Sequence, residues 1–223
     1  MTASTPVPLR IDFVSDVVCP WCAIGLASLE QALQRLQGEV DADIHFQPFE
    51  LDPNMPAEGM DVADNLKRKY GMDDAQLAQN QERIRQRGAE LGLTFDFNAR
   101  SRTWNTFDAH RLLHWAEAEG RQAALKRALL VANFSEGRNV SDRDALVEIA
   151  TGAGLDAERA RAILDSNEFG DEVRATEQFF QQHGITGVPA IIIERKHLIS
   201  GGQPPEVFER ALREIAAGKA VSQ

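Results

Sequence analysis

The strand-forming signal in this 223-residue chain is confined to its two ends. Residues 9–14 (Leu-Arg-Ile-Asp-Phe-Val) alternate apolar and polar side chains, the two-residue period of a strand. Residues 24–37 then place Leu26, Leu29, Leu33 and Leu36 at three- and four-residue spacings, one apolar helix face, stopped at Gly38. Residues 43–51 alternate again, and Pro48, which cannot donate to a ladder, points to an edge strand or a bulge. A strand, helix, strand run of this length is a βαβ unit, normally parallel and right-handed. Toward the other end, residues 168–183 read as a helix closed by His183-Gly184. The β-branched runs 189–194 and 197–200 predict a hairpin across Arg195-Lys196, although neither is a favoured turn former. Pro204-Pro205 opens a last helix with Val207, Phe208, Ala211, Leu212 and Ile215 on one face.

Residues 52–165 carry no strand signal. Helical patterns fall at 62–70, 74–91, 105–119, 121–134, 142–152 and 156–165, separated by glycines, with Ser141 to Asp144 as a capping-box variant. Without this stretch the chain reads β-α-β, then α-β-β-α, about a hundred residues and the size of one small α/β domain. The simplest organisation is one domain from 9–51 and 166–219 with an all-helical insertion at 52–165.

Composition narrows the function. With 34 acidic and 24 basic residues the net charge is -10, and no basic block is present, which argues against nucleic acid or an anionic membrane as partner. No run approaches the ~18 apolar residues of a membrane helix. The N-terminal residues lack a basic segment followed by an apolar one, so the expected compartment is the cytoplasm. Only two cysteines occur, which excludes a disulfide scaffold.

Those two are Cys19 and Cys22, in Cys19-Pro20-Trp21-Cys22, between the first strand and its helix. Cys19 is expected at or next to the helix N-cap, and Pro20 suits the first turn, where a missing N–H costs nothing. The unpaired N–H groups and partial positive charge of a helix start favour a thiolate, the nucleophile of thiol–disulfide exchange. Cys22, one turn deeper, is placed to resolve a mixed disulfide formed by Cys19. Two other readings stay open on spacing alone: an inert buried pair, and half of a zinc site completed by His110 and His114, one helical turn apart. Thr186-Gly187-Val188-Pro189 ahead of the β-branched run is a proline opening a strand.

Taken together, Ser15 to Cys22, Phe49 to Pro53, Asn105 to Arg111, Glu136 to Asp142, Gly187 to Ala190 and Ile199 to Gln203 make the chain resemble the DsbA-like branch of the thioredoxin superfamily, and more closely its FrnE-like cytoplasmic members. The resemblance covers nearly the whole chain. It implies an α/β, thioredoxin-like core with a large helical insertion, and a thiol–disulfide oxidoreductase or dithiol–disulfide isomerase. It also implies a cis Pro189 beside Cys19 and a Val188 backbone that pairs with substrate. Cys19 would be the nucleophile, Cys22 the resolving thiol, and Pro20 and Trp21 the dipeptide that tunes them. Asn105, His110 and Phe107 would line a substrate cleft formed with the insertion. Ala23 departs from the large aromatic expected after the second cysteine, which bears on substrate choice. The partner would be a disulfide- or thiol-containing protein or small molecule, with glutathione as a candidate redox partner, no tightly bound cofactor, no metal, and a homodimer as a candidate assembly. The related 2-hydroxychromene-2-carboxylate isomerases and kappa glutathione transferases share the insertion, but use serine where Cys19 stands; a glutathione-dependent isomerase or transferase acting on a small aromatic molecule is the alternative.

Among the remaining residues, Glu50 is either a buried carboxylate serving Cys22 or an exposed strand-end acid. His45 is expected to face solvent, His183 to cap a helix, Trp115 to sit in a helix core, and Trp104 or Phe107 to wall the cleft.

Overall fold

The computed structural model describes residues 5–221. Its sheet contains β1 (Val7–Ser15), β2 (Val40–Pro48), β5 (Ala190–Ile193) and β6 (His197–Ser200) in the order β2-β1-β5-β6. β1 runs parallel to β2 and antiparallel to β5. Pro48 thus lies on an edge strand, where its missing N–H breaks no ladder. Alternation decides which face is dry: Leu9, Ile11 and Phe13 are almost wholly buried beneath α1 (Pro20–Arg35) and α9 (Pro205–Val221). The opposite face carries Val14, which packs with Phe49, Ile185 and Phe180 of α8 (Gly170–Gln182). The elements follow the β-α-β and α-β-β-α succession expected from the two chain ends, and the core has the layout that the resemblance implies.

The intervening residues form α2 (Val62–Tyr70), α3 (Asp74–Glu90), α4 (Phe107–Ala118), α5 (Gln122–Phe134), α6 (Arg143–Gly152) and α7 (Ala157–Leu164). The stretch is not purely helical. β3 (Met60–Asp61) and β4 (Arg102–Thr103) pair antiparallel, and two residues are too few for an alternating pattern to register in the sequence. Helices α4 to α7 close around their own core of Leu112, Leu125, Leu129, Leu146 and Ile163, which also takes in Val17 and Val18 from the segment between β1 and α1. Cys19 and Cys22 belong instead to the core beneath the sheet. The cysteine segment therefore lies on the seam between the two cores.

Three local readings change. The cap of α6 is Asp142, whose side chain accepts from Ala145 N at 2.8 Å; Ser141 instead donates to Asn139. The β5–β6 turn centres on Glu194-Arg195 rather than Arg195-Lys196. Both residues have positive φ (53° and 56°), the signature of a type I′ turn, so Glu194 leaves the strand it was assigned to. His45 is not on open solvent: Asp43 and Glu117 flank its ring at 2.7 and 2.6 Å, and these carboxylates raise its pKa against the opposing effect of burial.

Candidate active site

Cys19 is the N-cap of α1, with extended backbone, and Pro20 occupies the first turn. The cap geometry aims the helix start at sulfur: Cys22 N donates to Cys19 Sγ at 3.3 Å, filling one of the orphan N–H positions. Both thiols are free, Cys22 with no exposed surface and Cys19 with 3%. Burial pushes the Cys22 thiol well above its ordinary value, and the adjacent Cys19 sulfur adds to this. The Val188–Pro189 bond is cis, and Cys19 Sγ lies 3.7 Å from the Val188 carbonyl oxygen. The approach of this loop to α1 depends on Gly25: a β-carbon there would meet Pro189 Cγ at 3.2 Å.

A cleft of about 300 Å³ opens beside Cys19. Cys19, Pro20, Trp21 and Val188 form one wall; Leu66 and Tyr70 of α2, Ile84 of α3, Phe97 and Trp104 form much of the other. Arg83 of α3 lies over the Trp21 ring at 5.2 Å and ties this wall to the cysteine segment. At the floor is Arg100, 7% exposed, which donates to Val18 O at 3.1 Å and Asn133 Oδ1 at 3.4 Å, and lies over the Phe134 ring. Burial lowers this guanidinium to about 10, opposed by Cys19 and Asp16.

A second set of charges begins at Asp16, which also lines the cleft. Asp16, 1% exposed, accepts from Leu51 N at 2.8 Å and stands 3.5 Å from His110 Nε2. Burial pushes its carboxyl up, but His110, the Leu51 N–H and Lys126 outweigh that and hold it below the usual range. Lys126 of α5 is also 1% exposed, and no hydrogen-bond partner reaches its Nζ. Burial lowers its pKa; Cys22, Asp16 and Cys19 oppose the shift.

The expected cleft residues divide. Cys19, Pro20, Trp21, Val188 and Trp104 are on the cleft wall; Asn105, Phe107 and His110 are not. His110 is turned inward to Asp16. Asn105 Oδ1 accepts from Phe107 N at 2.9 Å, and its Nδ2 donates to Glu50 Oε1 at 3.4 Å. Phe107 lies 3.9 Å from the Arg174 guanidinium, which also contacts Glu50 and Glu177. Glu50 is buried rather than an exposed strand-end acid, and its partners are Arg174 and Asn105. Burial and the charge of Glu177 push it up to about 7 against the pull of Arg174. His114 packs against Phe169, and among the described residues no group of three or more His, Cys, Asp and Glu side chains is placed to hold a metal ion. The sequence reading missed Asp16, Arg100 and Lys126. The signal for Lys126 was a cation among Leu125, Leu129 and Leu130 on an apolar helix face.

Comparison with known proteins is consistent over most of the chain. A family model described as a DSBA-like thioredoxin domain matches residues 10–213. A crystal structure from Streptomyces coelicolor, described as a probable DsbA oxidoreductase, is 40% identical with a TM-score of 0.87, over 94% of this chain and 90% of that one. The Bacillus subtilis (strain 168) protein YwbO is 28% identical over 205 residues, which is 92% of this chain and 96% of its own. The cytosolic disulfide reductase DsbM from Pseudomonas aeruginosa, solved with GSH, shares the fold at a TM-score of 0.65 and 20% identity, over 92% and 98% of the two chains.

Proposed function

The chain belongs to the DsbA-like thioredoxin domain family, and from that membership we propose that it is a thiol–disulfide oxidoreductase whose redox couple is Cys19 and Cys22. The carrying observation is the placement of Cys19 Sγ at the start of α1, under the Cys22 N–H and facing a cleft beside Val188. Cys22 is the more deeply buried, and burial raises its thiol, which supports Cys19 as the attacking sulfur. In the reducing direction the Cys19 thiolate attacks a substrate disulfide, forms a mixed disulfide and expels one substrate thiolate. Cys22 then loses its proton and attacks Cys19 Sγ. The second substrate sulfur leaves with the electron pair of the broken S–S bond, and a Cys19–Cys22 disulfide remains. Oxidation of a dithiol is the same path reversed, and the potential of the couple against its surroundings sets the direction.

In this reading residues 9–51 and 166–219 form the redox domain and 52–165 the insertion that shapes substrate choice through α2, α3 and Trp104. A cytoplasmic setting and glutathione as exchange partner are part of the proposal. The cytosolic DsbM solved with GSH is compatible with both. Among the described residues no helix is long and apolar enough to cross a membrane.

The test is a pair of substitutions. Cys19→Ser abolishes both disulfide reduction and dithiol oxidation, and Cys22→Ser accumulates a mixed disulfide on Cys19. Full activity in Cys19→Ser refutes the mechanism. Turnover of a small glutathione conjugate that survives Cys22→Ala would instead favour the glutathione-dependent isomerase or transferase.

A further inference from the structure

Among the buried titratable groups that the exchange reaction leaves unused, Lys126 is almost wholly buried and has no hydrogen-bond partner at Nζ. It sits on the face of α5 that meets the cysteine segment, and two anchors on the same helix fix that orientation. Gln122, one turn earlier, accepts from Phe46 N and donates to Phe46 O of β2, at 2.8 and 3.0 Å. Asn133, two turns later, donates to Val17 O at 3.3 Å, just before Cys19. Residues four and eleven positions apart share a helix face, so Lys126 lies between these anchors on the side of α5 turned toward β2 and the segment that joins β1 to α1. No acceptor reaches its Nζ there. A buried ammonium without a hydrogen bond is costly, and what offsets that cost is the charge of Asp16 and of the cysteine sulfurs.

We propose that Lys126, supplied by the helical insertion, is a positioning residue for the redox couple: its ammonium holds the Cys22 thiolate during resolution of the mixed disulfide. The proposal rests on the Cys19–Cys22 reading above. The Cys22 proton leaves to solvent, the thiolate forms against the Lys126 ammonium, and Cys22 Sγ bonds to Cys19 Sγ as the Cys19–substrate S–S bond breaks. The substrate thiolate carries away the electron pair and takes a proton from water. Lys126 keeps its own protons throughout. The other charges at this seam are Asp16, which shares the field of Lys126, His110 of α4 at 3.5 Å from Asp16, and Arg100 on the cleft side. Asp16 alone would oppose a thiolate at Cys22, so the cation decides whether that anion is tolerated.

The experiment compares Lys126→Met with the unaltered protein, using a preformed mixed disulfide between Cys19 and a small chromogenic thiol. Resolution by Cys22 at pH 7 is expected to slow about tenfold, and the alkaline limb of its pH–rate profile to move to higher pH. The first attack by Cys19 should change less than threefold, and unfolding of the disulfide form should occur at the same temperature or higher. A folded Lys126→Met protein with resolution rate and pH limb within twofold of the original overturns the proposal. If the variant fails to fold, the Lys126 Nζ titration is followed by NMR in the unaltered protein. By reciprocity, Lys126 should hold its proton to higher pH in the dithiol form than in the disulfide form; identical titrations overturn the assignment. A Cys22→Ser protein that traps no mixed disulfide would instead fail the underlying reading, before Lys126 is in question.

Discussion

Two buried cations stand on neighbouring helices of the insertion and could hardly be treated more differently. Arg111 of α4 is 2% exposed, and its whole guanidinium is engaged. It donates to Asp108 Oδ1 at 2.7 Å, to Glu168 O at 2.8 Å, to Ser166 O at 2.7 Å and to Ile163 O. Lys126 of α5 is 1% exposed and donates to nothing. The planar fork of Arg111 closes the carbonyls where α7 ends and the chain turns toward α8, the return from the insertion to the sheet. One cation is therefore consumed by structure. The other makes no hydrogen bond and feels the charge of Asp16 and the cysteine sulfurs, which on our proposal directs its charge to chemistry.

The sharpest way to break this comparison is to remove the structural cation. Arg111→Ala removes a donor from the Ile163, Ser166 and Glu168 carbonyls, of which Ile163 is buried, and from Asp108. We expect a loss of about 3 kcal/mol of stability. In urea unfolding this is a clear fall in midpoint at constant slope, and by calorimetry it is roughly 6–12 °C in Tm for a chain of this size. Arg111→Lys should recover little, because a point ammonium cannot serve four acceptors at once. Lys126→Met should leave thermal stability level or higher. If Arg111→Ala costs no more than Lys126→Met, the division between a structural and a chemical cation fails.

Glu50 offers an intermediate case, a buried acid only partly compensated. Its pKa is raised to about 7 by burial and Glu177, against the pull of the half-exposed Arg174. An acid raised in the folded state binds more protons folded than unfolded. Its favourable contribution is full below its ordinary value of 4.5 and lost as pH rises through about 7. Glu50→Gln, which stays neutral, should match the original protein near pH 4.5 and be more stable above pH 7. The gain expected there is on the order of 1 kcal/mol, discounted for the water that reaches Arg174. Denaturant unfolding across that pH range checks it, and a difference that grows toward acid would reverse the sign of the argument.

The contrast also marks what a sequence can disclose. The alternation of Leu9, Ile11 and Phe13 and the leucine spacing of α1 report local periodicity, and they placed Cys19 at a helix start without reference to the rest of the chain. Arg111 and Lys126 look alike in the sequence, each a single cation on an apolar helix face. What separates them is distant in sequence: the loop at Ile163 to Glu168 supplies acceptors to Arg111, whereas Lys126 meets no acceptor and feels only the charge of Asp16 and the cysteine sulfurs. The same holds for His110, Asn105 and Phe107: their segment is recognisable, yet Asp16, Glu50 and Arg174, brought from other parts of the chain, turn them away from the cleft. Two-residue strands such as β3 and β4 leave no period to read.

A third cation gives the smallest effect and isolates a different cost. Arg195 is exposed, so burial plays no part, but its backbone sits at φ 56° in the β5–β6 turn. That region costs any residue with a β-carbon, and glycine occupies it freely. The preceding Glu194 shares the strain at φ 53° but is tied down: its carboxylate accepts from Arg10 N at 2.7 Å and from Lys219 at 2.8 Å. Arg195 is therefore the position to relieve. Arg195→Gly should stabilise the protein by about 0.5–1 kcal/mol, the gain being limited by the extra freedom glycine brings to the unfolded chain. A rise of roughly 1–4 °C in Tm with unchanged thiol exchange is the expected result. A fall would mean that the Arg195 side chain, and not its backbone, stabilises the turn. It would add Arg195 to the cations consumed by structure, alongside Arg111 and opposite Lys126.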